Sequence, residues 1–189
     1  DGVSLLDLTI EGLGFERIGH SASINQQFKG GFDGNGVTIQ IELLKTTTDY
    51  LGLFGYLGQN AEVKNIEITG KVHGRNYVGA LAGEVNGASI SNIFNHAEVL
   101  GTRYVGGLIG LSKNSNINSI YNMANVTAIS RDIGGIIGYS QTSTISKVFN
   151  FGHIKGTQVV GGIVGYLYNA NNVSYVYNRG MVEGTTTAT

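Results

Sequence analysis

Four tyrosines in the C-terminal half of the sequence have the chemistry of a sugar-binding face. They are Tyr139, Tyr166, Tyr168 and Tyr175. A tyrosine ring on a flat surface can stack on the apolar face of a sugar, and its hydroxyl can form hydrogen bonds. The same residues could instead be structural and cover the corners of a repeated fold or the face on which a next repeat would pack. The sequence leaves both interpretations open.

The acidic and histidine side chains do not form a catalytic pattern. Acid–base cleavage of a polysaccharide needs two carboxylates about 5 to 9.5 Å apart, and the candidate acids fall at different positions of the repeat described below: Glu84, Glu98, Asp132 and Glu183. The histidines lack a metal-ligand spacing and there is no His-Glu-x-x-His motif. We predict that this segment is not an enzyme, with a polysaccharide lyase or glycosidase as the enzymatic alternative. Arg103 and Asp132 are expected to form a surface ion pair.

The run Asp33-Gly-Asn-Gly36 is the shortest site-like motif. An aspartate with nearby carbonyls could bind Ca²⁺, which prefers oxygen ligands. However, Asp-Gly and Asn-Gly are also the usual dipeptides of tight turns, and the further acidic positions of a calcium loop are missing. The turn interpretation is favoured, so we predict no metal and no cofactor.

These residues belong to a chain built from five copies of one unit. The third copy reads Tyr104-Val-Gly-Gly-Leu-Ile-Gly110, followed by residues 117–126, and an asparagine that recurs every 27 or 28 residues marks the period in four copies: Asn95, Asn122, Asn150 and Asn178. Such a period is typical of solenoid proteins. Short runs rich in Val, Ile and Tyr between Gly, Asn and Ser predict strands, and the many glycines disfavour helices. The sequence therefore predicts an all-β fold, a parallel β-helix or β-solenoid of about 27 residues per coil.

In a parallel β-solenoid, equivalent residues of successive coils stack about 4.8 Å apart. We expect apolar core columns, such as Val78, Val105, Ile133 and Val160, and a structural ladder formed by the four asparagines. An aromatic column should lie beside the ladder: Phe94, Tyr121, Phe149 and Tyr177. Glu67 and Ile68 replace both columns in the first copy. We predict six or seven coils in all.

The repeats resemble the GLUG repeat of large secreted or surface-anchored bacterial proteins, such as adhesins and the non-catalytic part of immunoglobulin-A-cleaving metallopeptidases. The resemblance rests on the Val-Gly-Gly motif at residues 104–111 and 159–166 and its Ile-Gly-Gly form at 132–139, on the Tyr-Asn or Phe-Asn pairs, and on the preceding segment at residues 28–39. It implies a right-handed solenoid and an extracellular or cell-surface location. Residues 1–49 would be coils leading into the repeats, 50–184 the repeats, and 185–189 a polar tail or linker of a single domain.

Composition narrows the classes of function. The chain of 189 residues has a net charge of −1, 30 glycines, no proline and no cysteine. Near-neutral charge disfavours nucleic acid as a partner, and no stretch is long and apolar enough to predict a membrane span. The leading hypothesis is a rigid spacer with an adhesive face, whose partners would be a host glycan or protein and other domains of a longer chain. The alternative is a carbohydrate-binding or polysaccharide-processing β-helix module.

Overall fold

The chain forms a parallel β-solenoid, as the repeat predicts. A computed structural model describes residues 8–10, 17–19, 25–169 and 171–185, and all the regular elements in these residues are strands. Five full coils are stacked, because one of the sheets contains one strand from each of five repeats. The prediction of six or seven coils was therefore too high for the described residues, where the N-terminal part adds strands to only one sheet.

Twenty short strands make up the solenoid. In chain order they are β1 (Leu8–Ile10), β2 (Gly31–Leu44), β3 (Phe54–Leu57), β4 (Glu62–His73), β5 (Asn76–Val78), β6 (Ala82–Asn86), β7 (Ser89–Asn95), β8 (Glu98–Gly101), β9 (Arg103–Gly106), β10 (Ile109–Lys113), β11 (Asn116–Asn122), β12 (Val126–Ala128), β13 (Arg131–Gly134), β14 (Ile137–Gln141), β15 (Thr144–Asn150), β16 (Ile154–Gly156), β17 (Gln158–Gly161), β18 (Val164–Tyr168), β19 (Asn172–Asn178) and β20 (Val182–Gly184).

The strands form three parallel sheets that surround the core. Sheet A contains β1, β2, β4, β7, β8, β11, β12, β15, β16, β19 and β20, sheet B contains β3, β6, β10, β14 and β18, and sheet C contains β5, β9, β13 and β17. The registers reproduce the predicted columns: Val78 pairs with Val105, Val105 with Ile133, and Ile133 with Val160. The β-branched core residues stack well on such pleated surfaces.

Each coil has three residues in the left-handed backbone region, here called corner positions: the first lies in or beside the sheet C strand, the second between the strands of sheets B and A, and the third within the sheet A strand. The first corner position is occupied by Tyr50, Tyr77, Tyr104, Asp132 and Val159, the second by Asn60, Gly87, Asn114, Thr142 and Asn169, and the third by Asn65, Asn92, Ser119, Lys147 and Tyr175. Residues other than glycine, asparagine and aspartate rarely adopt this conformation, since Cβ crowds the backbone there. The solenoid therefore carries local backbone strain that its packing must offset.

Close contact between coils explains the second glycine of the pair in the last three repeats. A Cβ atom on Gly107 would lie 2.3 Å from the carbonyl oxygen of Gly135 and 2.8 Å from the side chain of Asn122. Gly135 has the same relation to Gly162 and Asn150 in the next coil. The glycine thus leaves room for the backbone of the next coil and for the ladder asparagine, whereas the second repeat has Ala80 at this position.

The last coil leaves its core face open. Ile90, Ile117 and Ile145 are fully buried, whereas Val173, in the same column, is 37% exposed because no described coil packs over it. At the other end, Phe28 and Phe32 pack on Phe54, with ring centroids 5.1 and 5.7 Å from it. The predicted leading segment 1–49 and tail 185–189 lie partly outside the described residues, so their boundaries stay predictions.

Candidate functional site

Two neighbouring columns place tyrosines along one edge of the solenoid. The first column lies in sheet B, where Tyr56, Glu84, Leu111, Tyr139 and Tyr166 are in register. The second is the first corner column, which contributes Tyr50, Tyr77 and Tyr104. Sequence reasoning missed this second column because Asp132 and Val159 occupy it in the fourth and fifth coils.

The two columns combine into a continuous series of rings, here called the tyrosine row: Tyr50, Tyr56, Tyr77, Tyr104, Tyr139, Tyr166 and Tyr168. Tyr50 and Tyr77 are almost parallel, with centroids 4.3 Å apart and an interplanar angle of 4°. The centroids of Tyr77 and Tyr104 are 4.6 Å apart, and those of Tyr50 and Tyr56 are also 4.6 Å apart. Adjacent coils are about 4.8 Å apart, which is close to the distance between the centroids of two stacked rings. The repeat itself therefore sets the spacing of these tyrosines.

The row continues into the last coil with a change of geometry. Tyr139 packs edge-on against Tyr104 at 5.6 Å and is stacked with Tyr166 at 5.3 Å. Tyr168 is tilted toward Tyr139, with centroids 6.3 Å apart. The structure therefore brings together three of the four predicted ligand-binding tyrosines: Tyr139, Tyr166 and Tyr168.

Tyr175, the fourth predicted residue, lies elsewhere. It belongs to β19 of sheet A, at the third corner position, and 79% of its surface is exposed. No ring contact involves Tyr175 within the described residues. The four predicted tyrosines thus do not form one surface.

Stacking changes what the tyrosine row can bind. Both faces of Tyr77 are covered by neighbouring tyrosines, and the guanidinium of Arg103 lies 4.3 Å from the ring centre of Tyr104. A sugar can stack only on a ring face that is open. The inner tyrosines therefore present their edges and hydroxyls, and open faces are confined to Tyr166 and Tyr168 in the last coil, which are both exposed.

A shallow polar groove of about 240 Å³ runs beside the row. Leu111, Lys113 and Gln141 line it together with the edges of three tyrosines. The Nζ atom of Lys113 donates a hydrogen bond of 3.0 Å to Glu84, which is nearly buried. The ion pair occupies both charged groups, so this groove offers mainly hydroxyl and amide groups to a ligand.

Burial shifts the pKa of several tyrosine hydroxyls upward. Removal from water, reinforced by the negative charge of Glu84, raises the pKa of Tyr56 to about 12. Burial also raises the pKa of Tyr50, Tyr77 and Tyr139. These hydroxyls stay protonated at neutral pH and can donate hydrogen bonds, but they are poor bases.

The four predicted ladder asparagines form a ladder along the solenoid. Each Nδ2 of Asn95, Asn122 and Asn150 donates to the Oδ1 of the next asparagine at 2.7 Å. The same amides also donate to the backbone oxygens of Ala97, Ala124 and Gly152. The first three members are fully buried, and their polar groups are satisfied by one another and by the backbone rather than by a ligand.

A second ladder, which was not predicted from the sequence, lies at another corner. The backbone NH of Ala88 donates to Ser115 Oγ, that of Ser115 to Ser143 Oγ, and that of Ser143 to Asn171 Oδ1, at 3.2, 3.3 and 2.9 Å. The period of 27 or 28 residues could have revealed this column. It varies in residue type, however, and so lacks the uniformity that marks the asparagines.

The predicted surface ion pair between Arg103 and Asp132 is wrong in one respect. The two side chains do lie close, with 3.6 Å between Nε and Oδ2, and Arg131 Nε donates to the same oxygen at 3.0 Å. Asp132, however, is only 1% exposed, because it occupies the corner position that holds tyrosine in the first three coils. It is a buried carboxylate between two arginines.

Asp33 serves the backbone of a local turn. Its Oδ1 accepts hydrogen bonds from the backbone NH of Asn35 at 2.9 Å and from Asn65 Nδ2 at 2.8 Å. These bonds, led by that from Asn65, lower the pKa of Asp33. The chain bulges between Asp33 and Val37, which agrees with the turn interpretation of this motif. In the described part of the chain, no group of three or more His, Cys, Asp or Glu residues could hold a metal ion.

Comparison with known proteins finds partial relatives. The chain is 35% identical over 79 residues to halomucin of Haloquadratum walsbyi, a match that covers 41% of this chain and 1% of halomucin. It is 36% identical over 77 residues to a putative Gly-rich membrane protein of Evansella cellulosilytica, covering 40% of this chain and 9% of that protein. The chain thus spans a small fraction of the length of these relatives. No family model matches it, and no solved structure matches it significantly.

None of the described residues forms a helix long and apolar enough to span a membrane.

Proposed function

We propose that the chain is a non-catalytic β-solenoid module of a secreted or cell-surface protein and that it serves as a rigid spacer. The observation that carries this proposal is that equivalent side chains of successive coils bond to and stack on one another along the solenoid axis. The asparagine ladder and the tyrosine row both run from coil to coil, and their hydrogen-bonding groups and ring faces contact the next coil. Because these groups are already paired within the solenoid, they stiffen it and are not available to a ligand.

The nature of the relatives supports the proposal. Proteins much longer than this chain, one of them called a membrane protein, share about 80 residues with it. A stack in which each coil contacts only its neighbours has a length set by the number of coils. A module of this kind suits a long protein that must hold its other parts at a distance from a surface. The resemblance to GLUG repeats points the same way.

A second candidate is an adhesive or carbohydrate-binding face in the last coil. The open ring faces of Tyr166 and Tyr168 favour it, and the adjacent hydroxyls could bind a sugar edge-on. Polysaccharide processing is the less favoured form of this candidate. The candidate acids do not share a column: Glu84 belongs to sheet B, Asp132 to sheet C, and Glu98 and Glu183 to sheet A.

Binding of the purified module to a panel of glycans and host matrix proteins tests the proposal, with the same samples assayed for released sugar. A spacer predicts neither binding nor release. Specific binding that Tyr166→Ala and Tyr168→Ala abolish, without a change in melting temperature, would establish the adhesive face instead. Tyr177→Ala is the matched control, because Tyr177 is an exposed aromatic residue of the same coil in sheet A. Released sugar would contradict the non-catalytic assignment.

A further inference from the structure

We propose that Tyr50, Tyr77 and Tyr104 are a modification site, at which one-electron oxidation joins tyrosines of adjacent coils by dityrosine bonds. The oxidant would be a peroxide acting with a peroxidase, a combination that removes single electrons from phenols. The product would be a solenoid whose first three coils are covalently linked along the axis. This inference does not depend on the spacer proposal.

Geometry is the first argument. A dityrosine bond joins the Cε atoms of two rings, so the rings must already be close when both are radicals. Tyr50 and Tyr77 are stacked at 4.3 Å with an angle of 4°, and Tyr77 and Tyr104 at 4.6 Å with an angle of 14°. The parallel registers on both sides hold these positions, since Leu51 pairs with Val78 and Val78 with Val105. Reaction within the row therefore needs only a small movement of each ring.

The chemistry balances without any group from the protein other than the tyrosines. Each tyrosine loses one electron and its hydroxyl proton and becomes a phenoxyl radical with spin density on the ortho carbons. Two such radicals form one Cε–Cε bond, and each ring then moves the hydrogen of that carbon to its oxygen. The two electrons and two protons reduce one peroxide to two molecules of water.

Access and surroundings are the second argument. Tyr50, Tyr77 and Tyr104 are half-buried, so their ring edges are open to oxidation at the surface, whereas the faces stacked on one another are covered. Glu84 is in register with Tyr56, which is stacked on Tyr50. Its charge is balanced by Lys113, so the stacked geometry and the access to the ring edges carry the proposal.

The structure supplies an internal control at Tyr121. This ring is stacked between Phe94 and Phe149 at 4.7 and 5.0 Å and is also half-buried. Because both neighbours are phenylalanines, a radical at Tyr121 has no tyrosine to couple with in its own molecule. The two aromatic columns therefore differ in the one property on which the proposal rests.

Tryptic mapping of the oxidised protein tests the proposal directly. Cleavage after Lys and Arg places Tyr50 and Tyr56 in residues 46–64, Tyr77 in 76–103, Tyr104 in 104–113 and Tyr121 in 114–131, and fragmentation of the linked peptides identifies the tyrosine in 46–64. Dilute protein is treated with peroxidase and hydrogen peroxide, and the monomer is isolated before digestion. We expect peptide 76–103 linked to 46–64 and to 104–113, each pair lacking two hydrogens, with dityrosine fluorescence. Peptide 114–131 should stay unlinked.

Two variants complete the test. Tyr77→Phe keeps the stack but removes the central phenol, which is the tyrosine of peptide 76–103, so both links should be lost. No link between 46–64 and 104–113 should replace them, because Tyr50 and Tyr104 are two coils apart. Tyr121→Phe should leave both links at the wild-type yield. The proposal is overturned if tyrosine is oxidised without linking these peptides, if dityrosine appears only in covalent dimers, or if Tyr77→Phe links 46–64 directly to 104–113 in the monomer at the wild-type yield.

Discussion

At the scale of single residues, Asn122 links three coils. Its Nδ2 donates to Asn150, its Oδ1 accepts from Asn95, and it also donates to the backbone oxygen of Ala124. All of these groups are buried. A buried polar group that loses its partner costs about 1 to 3 kcal/mol, so the ladder is stable as a whole and sensitive at each member.

We predict that Asn122→Ala lowers the free energy of unfolding by about 3 kcal/mol, because it removes partners from both neighbouring asparagines and from Ala124. Urea denaturation followed by circular dichroism measures the change. The matched control is Asn116→Ala, six residues earlier in the same strand and exposed, which should change stability by less than about 0.5 kcal/mol. Equal effects of the two variants would show that the ladder makes no specific contribution to stability.

Tyr56 predicts a dependence of stability on alkaline pH. Its pKa is raised from 10.0 to about 12 in the folded chain by burial and by Glu84. The folded state therefore holds this proton more tightly than the unfolded state, and the associated stability is complete below pH 10 and is lost as the pH rises to about 12. The loss should be on the order of 2 kcal/mol.

Denaturation of the wild type and of Tyr56→Phe at several pH values between about 9 and 12 measures this effect. The wild type should lose stability more steeply than the variant, which lacks the ionisable hydroxyl. Parallel curves for the two proteins would show that Tyr56 ionises equally easily in the folded and unfolded states.

Sequence reasoning succeeded with asparagine and only partly with tyrosine, for a physical reason. The asparagine column is uniform in four coils because one amide side chain donates to the next coil and to the local backbone while it also accepts from the preceding coil. The corner column of Tyr50, Tyr77 and Tyr104 changes to Asp132 and Val159, because arginines and Tyr139 take over the packing there. A column that changes residue type gives no signal in a single sequence.

At the scale of secondary structure elements, the corners are the strained parts of each coil. The second corner position holds asparagine or glycine in four coils, but Thr142, with a φ of 52°, in the fourth. A β-branched residue is poorly suited to the left-handed region, whereas asparagine tolerates it. Thr142 is exposed and makes no hydrogen bond through its side chain among the described residues.

We predict that Thr142→Asn raises the free energy of unfolding by about 1 kcal/mol, since it relieves this strain. The reverse change in the neighbouring coil, Asn114→Thr, should lower it by a similar amount, because Asn114 is exposed and has a φ of 47°. Thermal and urea denaturation of both variants provide the measurement. Changes of the same sign in the two variants would contradict the strain argument.

The strands were predictable and the corner conformations were not. Val and Ile residues that recur at the same position of each repeat specify which side chains face the core, so the register of β7, β11 and β15 follows from the period. The left-handed positions hold Tyr, Ser, Lys and Val as well as Asn. These residues do not signal that conformation, which the packing of adjacent coils imposes on them.

At the scale of the whole molecule, the number of coils depends on the N-terminal segment. Its strands β1 and β2 join the first repeat in sheet A, where β2 lies between β1 and β4. No strand of sheet B or C comes from described residues before Phe54. The repeat period predicted the five regular coils. It could not predict how the N-terminal segment, which lacks the repeat, pairs with the first of them.

The central claim is that the chain is a rigid rod in which each coil contributes a fixed length. Because the sequence contains no cysteine, two introduced cysteines can carry spin labels at unique positions. Glu62 and Asn172 suit this purpose, since both are exposed and belong to one column, four coil steps apart. Deletion of residues 103–130 would remove one coil and join Thr102 to Arg131, which is in the register of Arg103.

The distance between these labels, measured by pulsed electron paramagnetic resonance in the full-length chain and in the deletion variant, tests the claim most directly. The account predicts narrow distributions in both proteins, centred near 19 Å between backbones in the full chain and shorter by about 4.8 Å after the deletion. A broad distribution in the full-length chain, or a distance that the deletion leaves unchanged, would contradict the rigid solenoid.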